Sequence, residues 1–337
     1  MAKRRRDGNR IEDVAAAAGV SAMTVSRALR GMEGVSEARR AEILRLATAM
    51  NYVPDSSARS LAMANSTLIG ISLPNLFNEV FADILAAMRD IFRSAGFSTV
   101  IETTDYDTGT ERDWVERLLS WRPAGIILTG TDHDPDLRAR LRGARVPVLE
   151  IWDHSDDPID ISVGIDHLAA GRALGDHAVS LGYARPAFLG APEGFDKRAD
   201  ARMEGVRLAF GLAHLPAARP HETNSFEAGR IGTLHLLADP AARPDVIFCL
   251  NDHHAFGCMM TAQGLGLDVP GDIGVVGFNA LGLTNVLPQA LTTMRTPRRQ
   301  MGTLGARHLL ARIHGAKVAR ATCLPCTLQP GATLRPR

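Results

Sequence analysis

Polar and apolar positions divide the chain into two stretches of different rhythm. Up to about residue 65 the apolar residues recur at helical spacing. Arg10 to Ala18 reads as a first helix, with Asn9 and Glu12 as a capping box before it and Gly19 after it. Ser21 caps a second helix, Ala22 to Arg30, which Gly31 stops. Ser36 caps a third, in which Ile43, Leu46, Ala47 and Met50 share one face. Pro54 ends it, because the residue before a proline avoids the helical region. A short fourth helical pattern covers Ser56 to Ala64.

From Ser66 onward short continuous apolar runs take over. They predict strands at 68–73, 99–101, 125–129, 146–151, 161–165, 187–190, 246–250 and 273–278. Stretches with helical periodicity, such as 81–95 and 168–181, separate most of them. Short apolar strands alternating with helices imply parallel sheets buried on both faces. These are more strands than one small sheet needs, so the expected class is α/β, with two doubly wound lobes and a cleft between them.

Composition narrows the class. The 337 residues are 45% apolar and 22% charged, as in ordinary globular proteins. No apolar run is long enough for a membrane span, and the start MAKRRRDGNR lacks the apolar segment of a secretory signal. A cytoplasmic protein is expected. The net charge of +1 hides an asymmetry. Residues 1–65 carry 11 Lys+Arg against 7 Asp+Glu, and the rest carry 27 against 30. A basic segment on a slightly acidic body is a cue for nucleic-acid binding.

The helical segment has chemistry to match. Ile11–Gly31 has helix-turn-helix spacing, with Val14, Ala18, Val20, Val25 and Leu29 as its small core. Ser21, Ala22, Met23, Thr24, Ser26 and Arg27 then face outward from the second helix. In this motif that helix enters the major groove. Ala22 or Met23 would meet a thymine methyl, and Arg27 a guanine edge or a phosphate. Arg4–Arg6 and Arg10 would add phosphate contacts without sequence information.

AGVSAMTVSRALRG followed by VSEARRAEILRLATAMNYVPDSSARSLA resembles the N-terminal domain of the LacI/GalR family of bacterial transcription repressors. IGISLPNLFNEVFADIL, VGIDHLAAGRALGDHAVSLGYARPAFLG, FCLNDHHAFG and IGVVGFNA resemble that family's body, in order. The resemblance implies a three-helix DNA-binding domain at 1–54 and a hinge helix at 55–66. It implies a body at 67–337 like the periplasmic binding proteins. One lobe would take about 67–163 plus 294–322, the other about 164–293 plus 323–337. It also implies a homodimer on a pseudo-palindromic operator, with Leu61 wedged into the minor groove. LPNLFNEVFADIL, LLSWRPAGIILT and LTTMRTPRRQMGTLGARHLLARIHG are most similar to the gluconate-responsive branch, which implies a sugar-acid effector.

Residues near predicted strand ends are the candidates for that effector. The resemblance makes Arg202 and Asn251 ligand contacts, and leaves Asp252 to cap the following helix. Asn279 stands where many relatives carry Asp, and a neutral group there suits an anion. Glu150, at the end of its predicted strand, would accept from hydroxyls. Asn78 and Phe81 would form a wall, Lys197 and Arg198 would meet a carboxylate, and Phe226 would stack.

Enzyme chemistry finds little support. There is no G-x-G-x-x-G after the first strand, no P-loop and no G-x-S-x-G elbow. Cys323-Leu-Pro-Cys326 is a lone pair without a second, so no metal and no cofactor are expected. The rival readings are a periplasmic-type sugar-binding protein and a repressor that responds to a neutral sugar.

Overall fold

The computed structural model describes residues 10–29, 31–52, 66–76, 79–221 and 225–337. The chain forms two compact units, Met1–Ser66 and Thr67–Arg337. The fourth helical pattern at 56–64, with Leu61, lies outside the described residues, as do Arg4–Arg6 and Asn78.

The described residues of the first unit form α1 (Ile11–Ala18), α2 (Ala22–Leu29) and α3 (Glu37–Ala49). Val14, Val25 and Ile43, one from each, are fully buried at its centre. Gly19, at φ 62°, makes the turn between α1 and α2. The Ser21 hydroxyl accepts from Thr24 N–H at 3.2 Å, and Ser36 accepts from Arg39 N–H at 3.4 Å. The first cap differs from expectation by one residue. Arg10 is the N-cap, and Asp13, not Glu12, returns the bond by accepting from Arg10 N–H at 2.6 Å.

The second unit contains two parallel sheets. Six strands run in the order β11-β5-β4-β3-β1-β2, and four in the order β7-β6-β8-β9. The first sheet comprises β1 (Leu68–Leu73), β2 (Ser98–Thr103), β3 (Gly125–Thr129), β4 (Val148–Asp153), β5 (Ile161–Ile165) and β11 (Ala321–Cys323). The other comprises β6 (Pro186–Leu189), β7 (Ala217–Ala218), β8 (Val246–Cys249) and β9 (Gly274–Val276). An antiparallel pair, β10 (Thr293–Arg295) with β12 (Thr327–Gln329), lies where the chain passes between the sheets.

The helices needed below are α4 (Glu79–Ser94), α5 (Thr108–Ser120), α6 (Pro135–Gly143), α7 (His167–Ser180), α8 (Lys197–Ala209), α9 (Ser225–Leu236), α10 (Asp252–Gly264) and α11 (Arg298–Ile313). Helix α7 begins directly after β5 and packs on α8, so the chain leaves the first lobe there. Asp166 starts α7 by accepting from Ala169 N–H at 2.9 Å, and Asp196 starts α8 by accepting from Arg198 N–H at 3.1 Å. These two caps place the first turns of α7 and α8 at the end of β4, where the cleft lies.

Candidate functional site

In the first unit, α2 turns Val25 and Ala28 into the core and leaves Met23 69% exposed, with Arg27 exposed beside it. Ser21 and Thr24 hydroxyls lie 2.9 Å apart, so the cap also fixes the Thr24 side chain. Ala22 packs partly against the core, and Ser26 is half-buried. Arg10 is exposed at the start of α1. The surface of α2 is therefore led by one flexible apolar group and one guanidinium.

In the second unit a charged chain runs through the cleft. Asp153 ends β4, His167 opens α7, and Arg198 and Arg202 lie one turn apart on α8. Arg202 Nη1 donates to His167 Nδ1 at 3.0 Å, and His167 Nε2 lies 3.2 Å from Asp153 Oδ1. A ring nitrogen that accepts from a guanidinium carries no proton, so the imidazole proton sits on Nε2 toward Asp153. Burial pushes His167 below its ordinary pKa, against the pull of Asp153. The imidazole therefore stays neutral.

The two arginines differ. Arg198 Nε donates to Asp196 at 3.2 Å, and its Nη1 lies 3.9 Å from Asp153. Burial works against its charge, but Asp153 and Asp196 outweigh burial and raise its pKa. Arg202 is only 6% exposed, and no carboxylate of the described residues lies within ion-pair distance of it. Among the described residues it bonds to His167 and to the Leu250 carbonyl, the latter at 3.3 Å. Its guanidinium carbon stands 4.4 Å from the centre of the Phe278 ring, and its Nε has no hydrogen-bond partner. Burial pushes its pKa down. Asp196 and Asp153 offset this only from beyond ion-pair distance. A buried cation without a directly paired carboxylate is costly, and an anion bound beside it would offset that cost.

The cleft walls are polarised. Ser72, Thr104, Thr108 and Thr129 line the side formed by the six-stranded sheet, together with Asp107 and Glu111; Ser72 donates to Glu111 at 2.8 Å and Thr129 to the Ser72 carbonyl at 2.9 Å, which leaves their oxygens able to accept. The opposite side presents Lys197 and Arg198, and Lys197 Nζ lies 2.6 Å from Asp132.

Not every expected residue reaches this place. Arg198 and Lys197 line it, and Arg202 lies one turn behind Arg198, buried against His167 and Phe278. Asn251 follows Leu250, whose carbonyl Arg202 holds, and its Oδ1 accepts from His254 N–H at 3.0 Å. Asn251 is therefore the cap of α10, and the cap expected of Asp252 is corrected. Asp252 instead accepts from Leu281 N–H and Thr293 Oγ1, each at 2.6 Å. Asn279, at φ 99°, is buried one residue beyond Phe278 and accepts from Thr296 Oγ1 at 3.4 Å. Phe81 stands behind the wall, fully buried, edge-on to Trp152 at 6.1 Å.

Two further expectations are corrected. Glu150 does not line the cleft. Strand β4 continues to Asp153, two residues beyond its expected end, so Glu150 is mid-strand and wholly buried. It accepts from Ile159 N–H and from Arg138 at 3.2 Å, and lies 3.5 Å from His133 Nε2. Phe226 sits on α9 against His253 at 4.7 Å and Phe256 at 5.8 Å. Its ring is 41% exposed on the surface of the α9–α10 pair, away from the charged chain.

Sequence reasoning missed Asp153, His167, Asp196 and Tyr106. The first three had a readable signal, an acidic or imidazole group at a strand end or helix start. Tyr106 had none, because its position depends on an unusual backbone turn.

Residues 10–55 match the family model described as bacterial regulatory proteins, lacI family. Residues 66–330 match the one described as periplasmic binding proteins and sugar binding domain of LacI family. The chain is 34% identical over 326 residues to the HTH-type transcriptional regulator GntR of Escherichia coli K12, covering 96% of this chain and 98% of that protein. It is similar to the crystal structure of a LacI-family transcriptional regulator from Silicibacter pomeroyi, with TM-score 0.89 and 33% identity, covering 97% and 99% of the two chains. It is also similar to the lac repressor dimer bound to operator and the anti-inducer ONPF, with TM-score 0.82 and 26% identity, covering 98% and 100%.

Proposed function

The chain belongs to the LacI family of bacterial regulatory proteins, and from that premise we propose that it is an operator-binding repressor whose cleft takes a sugar acid of the gluconate class. The observation that carries the effector class is Arg202, a buried cation with no carboxylate partner among the described residues. An effector carboxylate would supply the missing charge through the planar guanidinium fork. The hydroxyl-lined wall opposite would take the polyol end. Similarity to the regulator GntR supports the same class.

The DNA-reading part of the proposal rests on α2. Met23 and Arg27, held by the Ser21 cap, would contact base edges, with Arg10 on phosphates. Leu61 is proposed as the minor-groove wedge of a paired hinge helix. Two copies of the chain would read a pseudo-palindrome. An effector lowers operator affinity only by preferring the state that binds DNA poorly.

A neutral-sugar effector is the second reading. Asp153 favours it, because it already neutralises Arg198. Thermal shift with gluconate against glucose separates the two. Gluconate is expected to raise the melting temperature and glucose to leave it unchanged. The reverse pattern rejects the sugar-acid assignment.

A further inference from the structure

The loop between β2 and α5 carries a feature that the effector reading does not use. Asp105 and Tyr106 are consecutive non-glycine residues in the left-handed region, at φ 49° and 65°. Such a conformation is unfavourable for a side-chain-bearing residue, so it persists only where surrounding contacts fix it. The turn backbone is closed within its own lobe, where Asp105 N–H donates to the Pro74 carbonyl and Asp107 N–H to the Thr104 carbonyl, each at 2.8 Å, and the turn aims the Tyr106 side chain at the other lobe. The Tyr106 ring lies 5.3 Å from the Phe195 ring, and the Arg198 guanidinium carbon stands 5.2 Å over it. Beside it, Lys197 of α8 pairs with Asp132 from the loop after β3. Both contacts cross the mouth of the cleft. Among the atoms of the charged chain, Arg198 Nη1 and Arg202 Nε lack hydrogen-bond partners among the described residues.

We propose that Tyr106 is a specificity-determining clamp of the cleft, closed on Phe195 and Arg198, that admits a slender polyol acid and excludes one carrying a second sugar ring. This rests on the effector reading. Stacking on Tyr106 occupies one face of the Arg198 guanidinium and leaves its edge for a ligand. A single-chain acid fits behind the ring while Tyr106 stays on Phe195 and Arg198. A glycosylated acid keeps Tyr106 and Phe195 apart and forfeits the inter-lobe contact.

The test compares gluconate with lactobionate, which is gluconate bearing a galactosyl group, by calorimetry on the full chain and on Tyr106→Phe and Tyr106→Ala. Wild type and Tyr106→Phe are expected to prefer gluconate by at least about tenfold, and Tyr106→Ala to lose most of that preference. A Tyr106→Ala protein that weakens both acids equally marks a merely structural residue and overturns the clamp. Hydrogen exchange without ligand is the second measurement. Exchange over residues 103–108 and 193–198 is expected to be about fivefold faster in Tyr106→Ala. If wild type binds neither acid, the effector reading fails and the specificity role falls with it; exchange then decides the inter-lobe contact alone, which unchanged protection overturns and faster exchange upholds.

Discussion

Two buried charged side chains have opposite status, and each yields a prediction. Arg202 is a cation kept out of water with only an imidazole nitrogen and a carbonyl for company. Replacing such a group with an apolar one of similar length relieves desolvation while losing two hydrogen bonds. Arg202→Met is therefore expected to keep its unliganded stability to within about 1 kcal/mol of wild type and to lose the gluconate thermal shift. A large loss of unliganded stability would show that Arg202 is structural. His133 is the reverse case. Its Nδ1 lies 2.6 Å from Glu111 Oε2, and its Nε2 lies 3.1 Å from the Gly130 carbonyl and 3.5 Å from Glu150 Oε1. Burial opposes its charge, but the two carboxylates outweigh burial and hold its pKa up at about 9. A folded-state pKa raised from 6.5 contributes stability in full below that value and loses it as pH rises through about 9. Melting temperature is thus expected to fall between pH 7 and 9, and His133→Gln to flatten that fall while costing about 3 kcal/mol at neutral pH. An unchanged slope in the variant would show that the imidazole is not the titrating group. At this scale the sequence was least legible. Arg202 was found through the family resemblance, and Arg198 as a basic group at the start of the same helix. Glu150 was misplaced because a two-residue error in a strand end moves a different side chain to the cleft.

Helix pairs are the elements that position the cleft, and they approach through glycine. A Cβ on Gly171 of α7 would lie 2.2 Å from the Arg202 carbonyl oxygen on α8, and one on Gly205 of α8 would lie 2.2 Å from that of Leu168 on α7. Both obstacles are backbone, so neither can swing aside. Gly171→Ala is expected to push α8 outward, to destabilise the second unit by about 1–3 kcal/mol and to weaken gluconate binding, because Arg198 and Arg202 ride on that helix. Binding and stability measured on the same variant check this, and intact binding with lowered stability would show that α8 adjusts without moving its arginines. The strands of the two sheets were legible because burial on both faces makes a continuous apolar run, as in Leu68–Leu73 and Ile161–Ile165. Strands β7, β10, β11 and β12 were not. They are two or three residues long, and their sequences, such as Thr-Met-Arg and Thr-Leu-Gln, carry no run to detect. Only pairing with distant segments makes them strands. The caps were legible to within one residue, since Ser21 and Ser36 act locally, while the Arg10–Asp13 box competed with an equally good pattern one residue earlier.

The whole chain has a charge of +1, the sum of a basic segment before residue 66 and a slightly acidic body after it. That division follows the two compact units. It gives each unit a separate thermodynamic signature. Operator affinity should fall steeply with salt, since it draws on phosphate contacts from the first unit. Gluconate affinity should respond far less, because Arg202 and its surroundings are shielded from the ionic atmosphere. Coupling between the two sites must be reciprocal. If gluconate lowers operator affinity by some factor, operator DNA lowers gluconate affinity by the same factor, expected to be about 5–150-fold. Calorimetry of gluconate binding to the full chain, with and without saturating operator, measures that factor directly. A chain of residues 67–337 is expected to bind gluconate with an affinity that operator DNA no longer changes. If operator DNA leaves gluconate affinity unchanged in the full chain as well, the cleft and the DNA-reading helix are uncoupled, and regulation by a sugar acid in this cleft is excluded even though both ligands bind.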